Sequence, residues 1–373
     1  MARVVLFGDF KVNQVKHLNL SSELTLLLNS SDVNMANFEA PIKTSGAPLK
    51  KSGPNICQHI ESPNWLMDRG FNVVSMANNH TMDFGEQGMI ATQKAFEKIV
   101  TVGCGSWDEA YCLKTIDTKD GKKVGFIACT QCEFGTLTEK GGCGCAWAMS
   151  PAINKLIVDS RDKVDALIIM PHGGVEYMDM PLPEWREVYK QWIDLGADAV
   201  IASHPHVPQG WEIYKNKPIC YSLGNFCFEA LKENNVPKHW YESLCCVLEV
   251  SGSHDIEMQI RPIKFDGKDL YISDNDSQEF AEHLKWMNDT LSDDEAYKKE
   301  VDKSVKKLLP HYMGMFSRGG LVTGALQKNF IKGFLEGLMG RGFFNKVHAL
   351  NNIQCESHRW AILRALRLKE NIK

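Results

Sequence analysis

Asp9, Glu39, Asn79, His172, His204 and His206 are residue types that hold divalent metal ions, and each stands just beyond a short apolar run. Gly8-Asp9 follows Val4–Phe7, and Glu39 closes the run Val33-Asn-Met-Ala-Asn37-Phe38-Glu39. Asn78-Asn79-His80 follows Val73–Met76, Pro171-His172-Gly173-Gly174 follows Ala166–Met170, and Ser203-His204-Pro205-His206 follows Ala199–Ala202. Carboxylates, an amide oxygen and imidazoles are mixed hard and borderline donors, suited to Mn2+, Fe or Zn2+ rather than to a thiolate site. The set is larger than one ion ordinarily takes from protein, so one or two ions sharing a carboxylate are expected. Two such ions about 4 Å apart polarise a phosphoryl oxygen and lower the pKa of a water between them. A histidine outside the ligand set can then protonate a leaving oxygen.

Singly, these residues leave alternatives open. Asp9 could cap the next helix, Glu39 could be a solvated loop carboxylate, and Asn78-Asn79 could be turn residues with positive φ. Glycines beside His172 point to a crowded backbone, and Pro205 would stiffen an extended piece carrying His204 and His206 to one side. Their joint appearance after five apolar runs is the stronger signal.

The elements that must position them follow from the same runs. Strands are expected at Val4–Phe7, Val33–Asn37, Val73–Met76, Val124–Cys129, Ala166–Met170 and Ala199–Ala202, with helices such as Gln87–Lys98 and Glu184–Leu195 between them. This alternation predicts βαβ units, a largely parallel sheet and helices outside. Ligands of such sheets gather beyond the carboxyl ends of the strands. After Pro208 shorter strands are expected at Trp211–Tyr214, Pro218–Ser222 and Leu244–Val250, with Asn216 at a hairpin tip. From about residue 271 the composition turns helical, with Leu284, Met287 and Leu291 opening the pattern and Trp360, Leu363, Leu366 and Leu368 closing it. Breaks are expected at Pro310 and Ser317–Gly320. The predicted division is 1–270 and a C-terminal helical extension, 271–373.

Composition narrows the function classes. Hydrophobic residues are 44% of 373, enough for a sizeable core. A net charge of −4 offers no basic field, which argues against nucleic acid as the main partner. The opening residues lack the pattern of a signal peptide, and no run of about 18 apolar residues exists, so a soluble cytoplasmic chain without a membrane span is expected. The twelve cysteines are irregularly spaced and read as free thiols, although Cys129 and Cys132 form one Cys-x2-Cys. Thr44–Pro54 and Gly135–Trp147 are expected to form the rim of the site, where Lys50-Lys51 could meet a substrate anion, although an exposed lysine pair is usually solvated surface.

Several stretches together resemble the poly-γ-glutamate capsule biosynthesis protein family, the CapA/PgsA-like branch of the calcineurin-like metallophosphatases. They are Gly8-Asp9, Asn37-Phe-Glu39-Ala-Pro41, Ala77-Asn-Asn-His-Thr-Met-Asp83-Phe-Gly85, His172-Gly-Gly-Val-Glu176-Tyr177, Gly196–Val207 and Tyr221-Ser-Leu-Gly-Asn-Phe226. The resemblance covers roughly residues 3–265 and implies a four-layer α/β/β/α sandwich with its site at the edge shared by two sheets. By resemblance, Asp9 and His206 would hold a first metal, Glu39 would bridge, and Asn79, His172 and His204 would hold a second. His80 would be the general acid, with Asp83 orienting it or capping the following helix. The implied activity is hydrolysis of a phosphate mono- or diester by a metal-activated water; an accessory role in making an anionic capsular polymer is the alternative. The sequence departs from well-studied calcineurin-like phosphatases at Lys11, where they carry histidine, and at Glu39, where they carry aspartate.

Overall fold

The computed structural model describes residues 1–44, 46–229, 236–274, 277–316 and 346–372. The strands that position the site are β1 (Ala2–Lys11), β2 (Val33–Phe38), β3 (Val73–Ser75), β4 (Lys123–Thr130), β5 (Ala166–His172), β6 (Ala199–Ile201), β7 (Pro208–Tyr214), β8 (Lys217–Leu223), β9 (Glu242–Gly252) and β10 (Asp255–Phe265). The helices are α1 (Ser22–Asn29), α2 (Gly85–Ala95), α3 (Pro151–Ser160), α4 (Pro183–Leu195), α5 (Gln278–Ser292), α6 (Asp294–Phe316), α7 (Lys346–Gln354) and α8 (Glu356–Glu370).

Two sheets result. In the first, β10, β9, β1, β2 and β3 lie side by side; β1 to β3 run parallel, and β9 and β10 add antiparallel to the other edge of β1. In the second, β4, β5, β6 and β8 are parallel neighbours, with β7 antiparallel to β8. Side chains alternate across a strand with period two, so a strand covered on both faces reads as a continuous apolar run. Val4 and Leu6 of β1 join one apolar core with Phe126, Ile168 and Val200 of the second sheet. Val5 and Phe7 join the other, with Leu24 and Leu28 of α1 and Met89 of α2. Helices α3 and α4 bury Ile153, Ile157, Trp185, Tyr189 and Trp192 in the first of these cores. The layers therefore stack α/β/β/α, with a C-terminal helical segment.

Local chemistry accounts for the boundaries. Helix α4 begins with Pro183 in its first turn and ends at Gly196, whose φ of 117° only glycine adopts cheaply. Lys215 and Asn216, with φ of 50° and 62°, make the two-residue turn between β7 and β8, so Asn216 does sit at a hairpin tip. Two expectations are corrected. Leu244–Val250 lies within a strand of 11 residues that pairs with β1 in the first sheet, away from the β7–β8 hairpin. Pro310 does not end a helix: α6 continues through it to Phe316, held by packing of Val301, Val305 and Leu309 into the shared core, with the Asp302 carboxylate accepting from Arg364 Nε of α8 at 2.7 Å. Ser317–Gly320 lies outside the described residues.

All twelve cysteines are free thiols. Burial raises the Cys129 thiol and pushes Cys132 up to about 12, which leaves the Cys-x2-Cys without the thiolate that redox or metal chemistry requires. Among the described residues no helix is long and apolar enough to cross a membrane.

Candidate metal centre

Asp9 lies within β1, not at its end, at a register shift between Phe7 and Asp9. Gly8 permits the shift: a Cβ there would stand 1.8 Å from the Gly224 carbonyl oxygen, to which the Asp9 N–H donates at 3.0 Å. Glu39 is the first residue after β2, and its N–H donates to Phe10 O at 3.1 Å. Asn79 and His80 stand in the turn after β3, where Asn78 Oδ1 accepts from His80 N. His172 ends β5, and His204 and His206 follow β6.

The six expected ligands come together, all buried. Asp9 Oδ1 is 3.6 Å from His172 Nδ1, and its Oδ2 is 3.5 Å from His206 Nδ1. Glu39 Oε1 is 3.7 Å from His206 Nε2. His172 Nε2 lies 3.0 Å from His204 Nδ1 and 3.2 Å from Asn79 Oδ1. That is the spacing of adjacent donors on one ion, given metal–nitrogen distances of about 2.0–2.1 Å. Asp9, Glu39 and His172 also offer ligand atoms that all lie within 4.8 Å of one another.

The electrostatics fit a cation. Both Glu39 oxygens are buried and accept no hydrogen bond among the described residues. Burial, then the charges of Asp9, Glu176 and Asp83, pushes the Glu39 carboxyl well above its ordinary range. Burial and the facing imidazoles hold His172 well below its ordinary value, so its ring is the neutral form that binds metal. Buried carboxylates with nothing to accept are what a divalent ion would satisfy.

The loop His204-Pro205-His206 is not extended as expected from Pro205. His204 and His206 have φ of 109° and 59°, and Ala40 and Tyr177, next to Glu39 and Glu176, have φ of 80° and 62°. Each such residue costs about 1–3 kcal/mol, and they gather where ligands must be aimed.

His80 sits beside the ligand set, with Nε2 3.9 Å from Glu39 Oε1. Its Nδ1 is 2.7 Å from Asp83 Oδ2, which also accepts from Ile56 N, so Asp83 faces His80 and does not cap α2. Lys51 departs from expectation. Its side chain is only 4% exposed and forms an ion pair with Asp83, its Nζ 3.0 Å from His80 Nδ1, whereas Lys50 is exposed. Lys11 is buried with Nζ on Asn13 Oδ1; burial lowers its pKa against the pull of Glu229, and it supplies no imidazole. Of the two expected rim loops, Lys51–Pro54 lines the cavity over the centre, while Gly135–Trp147 contributes two short strands to a separate three-stranded sheet.

Four supporting residues were given no role from sequence. Asn37 Nδ2 donates to Asp9 Oδ1 at 2.8 Å, and Ser203 Oγ meets His172 Nδ1 at 3.1 Å. Asn225 Oδ1 meets His206 Nδ1 at 3.0 Å, and Gln131 Nε2 meets His204 Nε2 at 2.8 Å. Asn37, Ser203 and Asn225 stand inside the resembling stretches, which was a usable signal. Gln131 had none.

Two facing α/β sheets with a buried carboxylate–imidazole centre at their common edge define a metallophosphatase-like class of protein. Within it, the chain belongs to the bacterial capsule synthesis protein family PGA_cap, whose pattern matches residues 9–230. The capsule biosynthesis protein CapA of Bacillus anthracis is 31% identical over 215 residues, 54% of this chain and 52% of that protein. The PGA biosynthesis protein CapA of Bacillus subtilis is 31% identical over 211 residues, 54% of this chain and 55% of that one. The chain thus spans about half the length of these relatives. A candidate 5'-nucleotidase from Staphylococcus aureus, solved with alpha-ketoglutarate, aligns over 78% of this chain and 59% of its own at 14% identity, with a TM-score of 0.46.

Proposed function

We propose that this chain is a metal-dependent hydrolase of a small phosphate mono- or diester, with Asp9, Glu39, Asn79, His172, His204 and His206 holding one or two divalent ions. The observation that carries the reading is Glu39: both its oxygens are buried and unpartnered among the described residues, where Asp9 and the imidazoles converge. A bound Mn2+, Fe or Zn2+ ion would supply Lewis acidity toward a phosphoryl oxygen and lower the pKa of a water near it. The chain's own groups supply the rest. Asp83, accepting from Nδ1–H, fixes the His80 ring so that Nε2, on the side of Glu39, can deliver a proton to the leaving oxygen. Lys51 neutralises Asp83 and keeps that carboxylate from competing for the ion. Asn37, Ser203 and Asn225 orient Asp9, His172 and His206.

The names of the relatives favour a second reading, an accessory role in synthesis of an anionic capsular polymer. Metal analysis of the purified protein, joined to a phosphomonoester and phosphodiester panel with added Mn2+, separates the two. Hydrolysis that His80→Ala lowers by about 10²–10⁴ with metal content unchanged supports catalysis. Bound metal with no turnover on any ester supports the accessory role.

A further inference from the structure

The cavity over the centre has a wall that lies beyond the family match. The cavity is about 250 Å3; Asn79 and His80 line it on one side, and Tyr312, Asn351 and His358 of α6, α7 and α8 line it on the other. These helices are fixed to the centre by buried polar contacts. Ser357 Oγ donates to Gln131 Oε1 at 2.5 Å, and Gln131 is the residue against His204. Glu356 accepts from Cys132 N at 2.7 Å and from Trp147 Nε1 at 2.8 Å.

The wall is rich in acceptors. Asn351 is 7% exposed, and its Oδ1 meets no donor among the described residues. Asn352 Nδ2 donates to Tyr312 O, which turns its Oδ1 to His358 Nδ1 at 3.1 Å. The proton of the neutral His358 ring therefore sits on Nδ1, and Nε2 is left as an acceptor. Burial lowers the His358 pKa and keeps the ring neutral. Glu133 and Glu176 add carboxylates to the same cavity.

A buried acceptor without a donor is costly, so a ligand that brings donors is favoured over an isosteric one that does not. We propose that the C-terminal helices select the organic half of the substrate: a small phosphoester whose alcohol portion is rich in hydroxyl donors, of polyol-phosphate type, in place of an aryl or alkyl phosphate. The cavity lies below the range of about 300–1,000 Å3 usual for ligand pockets, which suits one sugar-sized group. The proposal rests on the hydrolase reading for its phosphate end.

The test compares ribose 5-phosphate with phenyl phosphate on the full-length Mn2+-loaded protein and on Asn351→Leu and His358→Phe, two variants so that one misfolded protein does not decide it. Wild type is expected to favour ribose 5-phosphate in kcat/KM, and each variant to lower that preference about five- to tenfold, the loss of one hydrogen bond. Calorimetric Kd values for the same two compounds are read in parallel. A preference seen in Kd without turnover overturns the hydrolase reading and upholds the wall. Wild-type preference for phenyl phosphate, variants that keep the preference within about twofold, or binding of neither compound overturns the wall.

Discussion

Glu39→Gln should change stability with opposite sign in the metal-free and metal-loaded protein. In the metal-free chain the Glu39 carboxylate is buried, both oxygens lack donors, and Asp9, Glu176 and Asp83 repel it. An uncompensated buried group of this kind costs about 1–3 kcal/mol, so replacing the ionisable carboxyl by an amide is expected to stabilise the metal-free protein at pH 8 by about 1–2 kcal/mol. The sign follows from linkage. The raised folded-state pKa means that the folded chain keeps a proton the unfolded chain has released, so metal-free stability falls as pH rises above the unfolded value of 4.5. His172 works the other way: its lowered pKa costs stability as pH falls below 6.5, because only the unfolded chain takes up the proton. With metal the order inverts. At a free ion concentration of 100 Kd wild type gains about 2.7 kcal/mol, and the variant, without the Glu39 carboxylate, gains little. Thermal melting at pH 8 with chelator and with Mn2+ gives all four values. A metal-free variant less stable than metal-free wild type, or equal metal-induced gains in both proteins, would refute the reasoning.

Three further outcomes follow from the geometry. Gly8→Ala places a Cβ 1.8 Å from the Gly224 carbonyl, a backbone atom that cannot turn aside; strand β1 must shift, with a loss of about 3 kcal/mol or more in denaturant unfolding and of metal binding with it. Lys51→Met leaves Asp83 as an unpaired buried charge and should cost about 3–5 kcal/mol, while the double variant Lys51→Met/Asp83→Asn should cost clearly less than the sum of the two singles. Ser357→Ala leaves the buried Trp185 indole N–H (2.7 Å) without its acceptor, while Gln131 Oε1 keeps the Gly174 N–H at 3.0 Å; a loss of about 1–3 kcal/mol is expected, measurable as a lower unfolding midpoint.

The sequence made the strands legible because each is covered on both faces. Val4–Phe7 and Ala166–Met170 are unbroken apolar runs, and the polar residue that follows each lies in the same strand where it reaches the centre. The six candidate ligands were legible from the same runs. Sheet membership was not. That β1 pairs with a strand some 240 residues away depends on long-range closure, which no local pattern encodes. The burial of Lys51 was not legible because it is set by Asp83, 32 residues further on, and an exposed lysine pair looks the same on paper. Pro205 suggested extended backbone from its own φ preference, yet its two neighbours hold positive φ while bonded to Asp9 and Asn225, which lie far off in the chain. Gln131 carries no local signal, since its role arises from His204 and Ser357, 73 and 226 residues away.

The distribution of strain bears on whether the centre is formed before an ion arrives. Ala40, Tyr177, His204 and His206 hold left-handed backbone beside or at the centre, at a cost of about 1–3 kcal/mol each. Local packing gives no reason for those conformations, since the adjoining β2, β5 and β6 are regular apolar strands. What keeps them is a polar mesh: Asp9 Oδ2 accepts from His204 N at 3.2 Å, Tyr177 N donates to Pro205 O at 2.8 Å, and Asn225 Nδ2 donates to His206 O at 3.1 Å. Two of these bonds join backbone to side chain and one joins backbone to backbone, and they need no ion to form. The strain is therefore carried by the two apolar cores on either side, and the donors stand aimed before any metal binds. Binding energy from an ion then goes into satisfying Glu39, with little spent on ordering loops.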